Sequence, residues 1–173
     1  MSSQIPKTYY RLFTLVDPLI ALWGASLFLL APETVTSSYL PAGGSPGTPL
    51  DPSTSHPAAA GFPSPASLRA YSLPLHAQIA GHLLATALLS ALLLRAVPDL
   101  AVWRLYQLAV LVVDAFVLYG TFASYAAQGR LVHLAAWRLE DWAAVGMTTL
   151  IALTRAAFLL RLGFPKAQRA KAA

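Results

Sequence analysis

Four long apolar runs, each broken at regular intervals by single polar residues, dominate the pattern of this chain. A helix needs ~20 apolar residues to cross ~30 Å of hydrocarbon. Leu12–Ala31, Leu75–Val97, Leu100–Tyr125 and Leu139–Gly163 all reach that length. The pattern predicts an all-α fold, a four-helix antiparallel transmembrane bundle forming a single membrane domain. Only Pro98-Asp99 parts the second run from the third, which forces an antiparallel pair. The first run follows Lys7 and Arg11 as a signal peptide would. Its apolar stretch is longer than an h-region, however, contains Asp17-Pro18 and ends without a small-residue cleavage site, so it reads as a retained anchor.

The interrupting polar residues keep helical register. Residues seven apart stay near one helix face, drifting only ~20° per heptad. Gln107, Asp114 and Thr121 follow that spacing in the third span, with Tyr125 four residues on, and Asp141, Thr148 and Arg155 repeat it in the fourth. Gln78, His82, Thr86 and Ser90 step by four along the second, a face that winds slowly around the helix, and the first offers Tyr10, Asp17 and Gly24. These faces must meet inside the bundle, because lipid satisfies no polar group.

Composition agrees with a membrane class: 57% of the 173 residues are hydrophobic and 11% charged. The net charge of +5 belongs to residues flanking the apolar runs, a topology signal that argues against a nucleic-acid partner and for a lipid bilayer. Lys7, Arg11, Arg95, Arg104, Arg161, Lys166, Arg169 and Lys171 lie on one side, and Arg69, Arg130 and Arg138 on the other. That asymmetry predicts both termini in the cytosol. Pro32–Pro74 holds nine of the thirteen prolines and reads as a mobile lumenal loop. Residues 164–173 form a basic cytosolic tail, whose Arg169 and Lys171 resemble an endoplasmic reticulum retrieval signal. The chain has no cysteine and no asparagine, which excludes disulfides, thiolate metal sites and N-glycosylation.

Depth counted at ~1.5 Å per residue puts Asp17 about two turns in from the cytosolic end, with Arg155 at a similar level. An ion pair is expected there. Asp114 falls ~20 Å from that end, and His82 about two turns from the opposite surface, where Glu140 and Asp141 stand at the mouth of span four. One cavity open to the lumen is expected, lined by Asp114, His82, Glu140 and Asp141 and floored by Asp17 and Arg155. Plainer roles compete. Gln, Ser and Thr on such faces commonly serve as interhelical glue worth ~0.6–2 kcal/mol. Glu140 and Asp141 suit the N-terminal dipole of a helix, and His82 suits packing. His76 and His82, six apart, do not form a helical ligand pair, so no metal is expected. Asp114 is the exception, because a lone mid-membrane carboxylate costs at least ~2.5–3.5 kcal/mol and normally marks function or a buried partner.

A run of local features, taken in order, carries a resemblance. Tyr10-Arg11-Leu12-Phe13 leads into Asp17-Pro18. A Pro/Ser-rich loop follows, then Asp99-Leu100-Ala101-Val102-Trp103-Arg104 at the short turn and Asp114-Ala115-Phe116 in span three. Trp137, Asp141-Trp142 and Arg155-Ala156-Ala157-Phe158-Leu159 complete the set. Over nearly all its length except the loop, the chain resembles a fungal family of small four-span integral membrane proteins, largely of unknown function. Some members resemble polyketide-pathway epoxide hydrolases and cyclases. The resemblance implies a membrane-embedded enzyme that opens an epoxide of an apolar, polyketide- or terpenoid-like substrate, giving a diol or cyclic ether without a cofactor.

Such chemistry needs an acid at the departing oxygen and a base on the attacking water or hydroxyl. Asp114 is cast as the buried acid and Asp141 as the base, with Glu140 in reserve. Tyr119 or His82 then donates to the developing alkoxide, Trp137 marks the interface beside the substrate, and Arg155 with Asp17 holds the floor. Two other classes stay open: a non-catalytic sterol- or lipid-binding protein of the emopamil-binding type, and a structural membrane protein. The oligomeric state is open too, a homo-oligomer included.

Overall fold

The structure is a computed structural model that describes residues 5–39, 65–129, 131–132 and 137–165. Most of the Pro-rich loop and all of the tail beyond Pro165 lie outside the described residues, as does Arg130. All regular structure described is helical. We number the helices α1 (Lys7–Leu30), α2 (Pro32–Tyr39), α3 (Pro65 through Ala96), α4 (Leu100–Ala127) and α5 (Leu139–Leu159). Four of them, Lys7–Leu30, Ser72–Ala96, Leu100–Ala127 and Leu139–Leu159, are long and apolar enough to cross a membrane.

Two segments depart from the expected loop. Pro32–Tyr39 is helical, and α3 begins at Pro65 and runs straight through Pro74. Prolines open both segments, where a missing amide hydrogen costs nothing because the first helical N–H groups have no partner anyway. Span two is therefore longer at its start than its apolar run suggested.

Short π-helical turns interrupt α1 at Leu12–Val16 and α3 at Leu89–Leu93. Sequence chemistry explains the first. Pro18 has no amide hydrogen to return to the preceding turn, and its ring crowds the carbonyl four residues back. That carbonyl belongs to Thr14, and Arg95 Nη2 donates to it at 2.8 Å. The Asp17 amide reaches back five residues to the Leu12 carbonyl. The two π turns pack against each other, which brings the start of one helix interior against the end of another.

Helix α1 packs chiefly against α3, and α4 against α5. Asp99 caps α4 by accepting the Ala101 amide at 2.8 Å, and Trp103 Nε1 donates to the Val97 carbonyl at 2.9 Å, closing the short turn. Phe13, Leu94, Trp103 and Phe158, joined by Ile5 and Phe164, form one buried cluster at the end carrying the termini. The chain is turned back into this cluster after α5. Arg161 adopts φ +56°, the Leu162 amide bonds the Ala157 carbonyl and the Arg161 amide bonds Phe158, a Schellman closure. Tyr9 fastens it by donating to the Leu162 carbonyl at 2.9 Å.

Candidate functional site

One turn above that aromatic cluster, the polar faces converge. Asp17 follows Phe13 by four residues, Gln107 follows Trp103 by four, and Arg155 precedes Phe158 by three; such spacings stack side chains on one helix face. Arg155 is 2% exposed and uses every nitrogen of its guanidinium. Nη2 meets Asp17 Oδ1 at 2.6 Å, Nη1 meets Asp114 Oδ2 at 2.5 Å, and Nε donates to Gln107 Oε1 at 3.2 Å. The expected Asp17–Arg155 pair is therefore present, but Asp114 does not stand apart above it. The reach of one arginine joins both carboxylates.

A second layer surrounds Asp17. Ser90, within the π turn of α3 and fully buried, donates to Asp17 Oδ2 at 3.4 Å. Its hydroxyl also lies 2.8 Å from Tyr106 Oη, which donates in turn to the Thr86 carbonyl at 3.0 Å. Gln107 and Ser90 stand on the polar stripes of the sequence. Tyr106 stands on none, and its role was not legible there.

Above the triad a cavity of about 220 Å³ opens between the two helix pairs. All four spans line it. Asp17, Asp114 and Arg155 form one end, Gly24, Leu83, Val113 and Met147 are among the walls, and Ala144 lies farthest along α5. Eleven residues of helix separate Ala144 from Arg155, ~16 Å of rise. Helices α1 and α3 come close beside Gly24: a Cβ there would stand 3.1 Å from Leu83 Cδ1, and the leucine side chain would have to give way.

The other expected site residues part company with the triad. His82 lines the cavity and is exposed at its edge. Gln78, eight residues before the buried Thr86 on the same nominal face, is exposed. Asp141 does not line this cavity. It is buried near the far end of the bundle, accepting from Tyr125 Oη at 2.6 Å and from the Arg138 amide at 2.9 Å in a capping box that starts α5. Fourteen residues of α5 part it from Arg155, ~21 Å. Glu140 and Tyr119 are exposed and outside the cavity. Trp137 packs with Tyr125, Trp142 and Phe122 at ring separations of 5.1, 4.8 and 6.3 Å, closing the far end beside Asp141. The expectation of one cavity shared by Asp114, Glu140 and Asp141 is thus corrected. Asp141 is occupied in starting a helix, and Asp17 takes its place beside Asp114. Among the described residues no cluster of three or more His, Cys, Asp or Glu has the arrangement of a metal site.

Fold and site together define a small four-span membrane protein holding a buried carboxylate–guanidinium–carboxylate triad at the base of an apolar slot. Residues 2–165 match the model of a family described as a domain of unknown function, DUF7704, and the chain belongs to that family. No curated protein and no solved structure matches it.

Proposed function

We propose that this protein is a membrane-embedded epoxide hydrolase or cyclase acting on an apolar, polyketide- or terpenoid-like substrate. One observation carries the reading: a single guanidinium joins two carboxylates at the floor of an apolar cavity. With both acids ionised the triad has a net charge of −1. With one proton between them it is neutral and presents an acid and a base together, the pair that epoxide opening requires.

Asp114, the more open of the two at 14% side-chain exposure against 6% for Asp17, is cast as the acid that meets the departing oxygen. As the attacking oxygen forms its bond to an epoxide carbon, the old C–O bond breaks and its electron pair stays on the departing oxygen. Asp114 protonates that oxygen, and Asp17 takes the proton lost by the nucleophile. Attack by water gives a diol, and attack by a substrate hydroxyl gives a cyclic ether. Arg155 holds both acids in register and stays bonded to the negative charge as it passes from Asp17 to Asp114.

The resemblance read from the sequence motifs is a second support. The same reading puts both termini and the Pro98-Asp99 turn in the cytosol, and the protein in the endoplasmic reticulum, from its basic residues.

The test is turnover of a polyene epoxide by microsomes carrying the protein. Asp114→Asn and Asp17→Asn should each cut the rate by ~10²–10⁴, the usual weight of general acid–base help. Full activity in a well-expressed Asp114→Asn variant would overturn the assignment. A non-catalytic binder would retain the ligand without converting it.

A further inference from the structure

Three hydroxyl contacts run from Asp17 into the protein, and only two hydroxyl hydrogens serve them. Ser90 Oγ touches both Asp17 Oδ2 and Tyr106 Oη, and Tyr106 Oη also touches the Thr86 carbonyl. Ser90 is 0% exposed, so no solvent makes up the difference.

The charge on Asp17 decides how many of the contacts can be made. When Asp17 is ionised, two hydrogens cover two of the three: Ser90 donates to the carboxylate, and Tyr106 donates either to Ser90 or to the Thr86 carbonyl. When Asp17 is protonated, it supplies the third hydrogen. Asp17 donates to Ser90, Ser90 to Tyr106, and Tyr106 to Thr86, so every contact is made. The chain reverses polarity without moving a heavy atom.

We infer that Ser90 and Tyr106 form a reversible hydroxyl relay that holds Asp17 in both of its protonation states. They are positioning residues for a base that must gain and lose a proton in each cycle. The inference rests on the proposed reaction for its purpose, but its geometry stands apart from it. A purely structural network needs one polarity only. The backbone supports the relay, because the π turns of α1 and α3 pack together directly before Asp17 and around Ser90, and π turns recur where function re-aims a side chain.

Charged and titratable groups face Asp17 from each packed element. Arg155 comes from α5, Asp114 and Tyr106 come from α4, and His82 lines the same cavity from α3. Arg95 reaches the Thr14 carbonyl three residues away. Ser90 meets Asp17 inside this set and carries no charge of its own, so its removal changes hydrogen bonding alone.

The experiment has two arms. In the first, Ser90→Ala and Tyr106→Phe are assayed for epoxide turnover across pH, normalised to folded protein. Ser90→Ala should lose roughly two- to tenfold, the range for an ordinary hydrogen bond, since the contact to Asp17 is a long one at 3.4 Å. Tyr106→Phe, which leaves Ser90 against Asp17, should lose less. Wild-type rates in both folded variants would overturn the relay.

The second arm needs no turnover. Infrared difference spectra across pH should show a carboxyl C=O band that is absent from Asp17→Asn and displaced in Ser90→Ala. A band unmoved in Ser90→Ala, or no Asp17-dependent band while the protein stays folded, would also overturn it. No epoxide turnover by wild-type protein, together with a band that Ser90→Ala displaces, would sink the reaction and leave the relay standing.

Discussion

Arg155 and Asp17, 138 residues apart in sequence, meet at 2.6 Å with side-chain exposures of 3% and 6%. At that burial neither charge is tolerable alone, and the second carboxylate on the same guanidinium, Asp114, makes the arginine the common counter-charge of two acids. Taking one partner from a buried ion pair typically costs ~3–5 kcal/mol, more than the pair itself contributes.

Arg155→Met should therefore be the most damaging single change in the bundle, lowering stability in detergent by about 3–5 kcal/mol. The triple variant with Asp17→Asn and Asp114→Asn should recover much of that loss, because nothing charged is left unpaired. Reversible unfolding in mixed micelles measures both. Additive losses across the three substitutions would show that the groups do not act as one unit.

The two aspartates once expected to work together should separate cleanly. Asp141→Asn weakens the Tyr125 bond and the capping box at the start of α5, a loss of about 1–2 kcal/mol in stability, and should leave turnover per folded molecule within a few-fold of wild type. Asp114→Asn should do the reverse. Thermal unfolding and epoxide turnover measured side by side on the two variants check this, and a catalytic collapse in Asp141→Asn would return that residue to the reaction.

Most of the fold was legible because bilayer thickness imposes run length, and hydropathy records it directly. Matching depths were enough to pair Asp17 with Arg155. Depth counting placed Asp114 too far from them because it measures Cα positions, whereas an arginine side chain spans more than a helical turn. The step-by-four stripe on α3 overreached for another reason: each step advances ~40° beyond a full turn, so Gln78 and Ser90 lie ~120° apart. Ser90 faces the core and Gln78 does not. The helices at Pro32–Tyr39 and from Pro65 were hidden by composition, since proline opens helices as readily as it breaks them. The π turns left no pattern in hydropathy at all.

Arg161 occupies a left-handed position, φ +56°, that glycine fills most easily. Arg161→Gly should raise stability by about 0.5 kcal/mol, relief of backbone strain slightly outweighing the added freedom of the unfolded chain. The melting temperature of the purified variant is the measurement, and a decrease would mean that the arginine side chain contributes more than its backbone costs.

The absence of cysteine makes topology directly testable. A single cysteine introduced between positions 41 and 65 should be labelled by an impermeant thiol reagent only from the lumenal side of sealed microsomes, and one at Asp99 only from the cytosolic side. The opposite pattern would invert the orientation inferred from the basic residues.

Phe13, Trp103 and Phe158, none of them measurably exposed, lie directly beneath the triad. They close the cavity at the end that carries the termini, so three charged groups sit in the bundle directly above an apolar plug. On the reaction proposed above, protons would pass between the triad and a ligand on one side of that plug, leaving the gradient across the membrane intact.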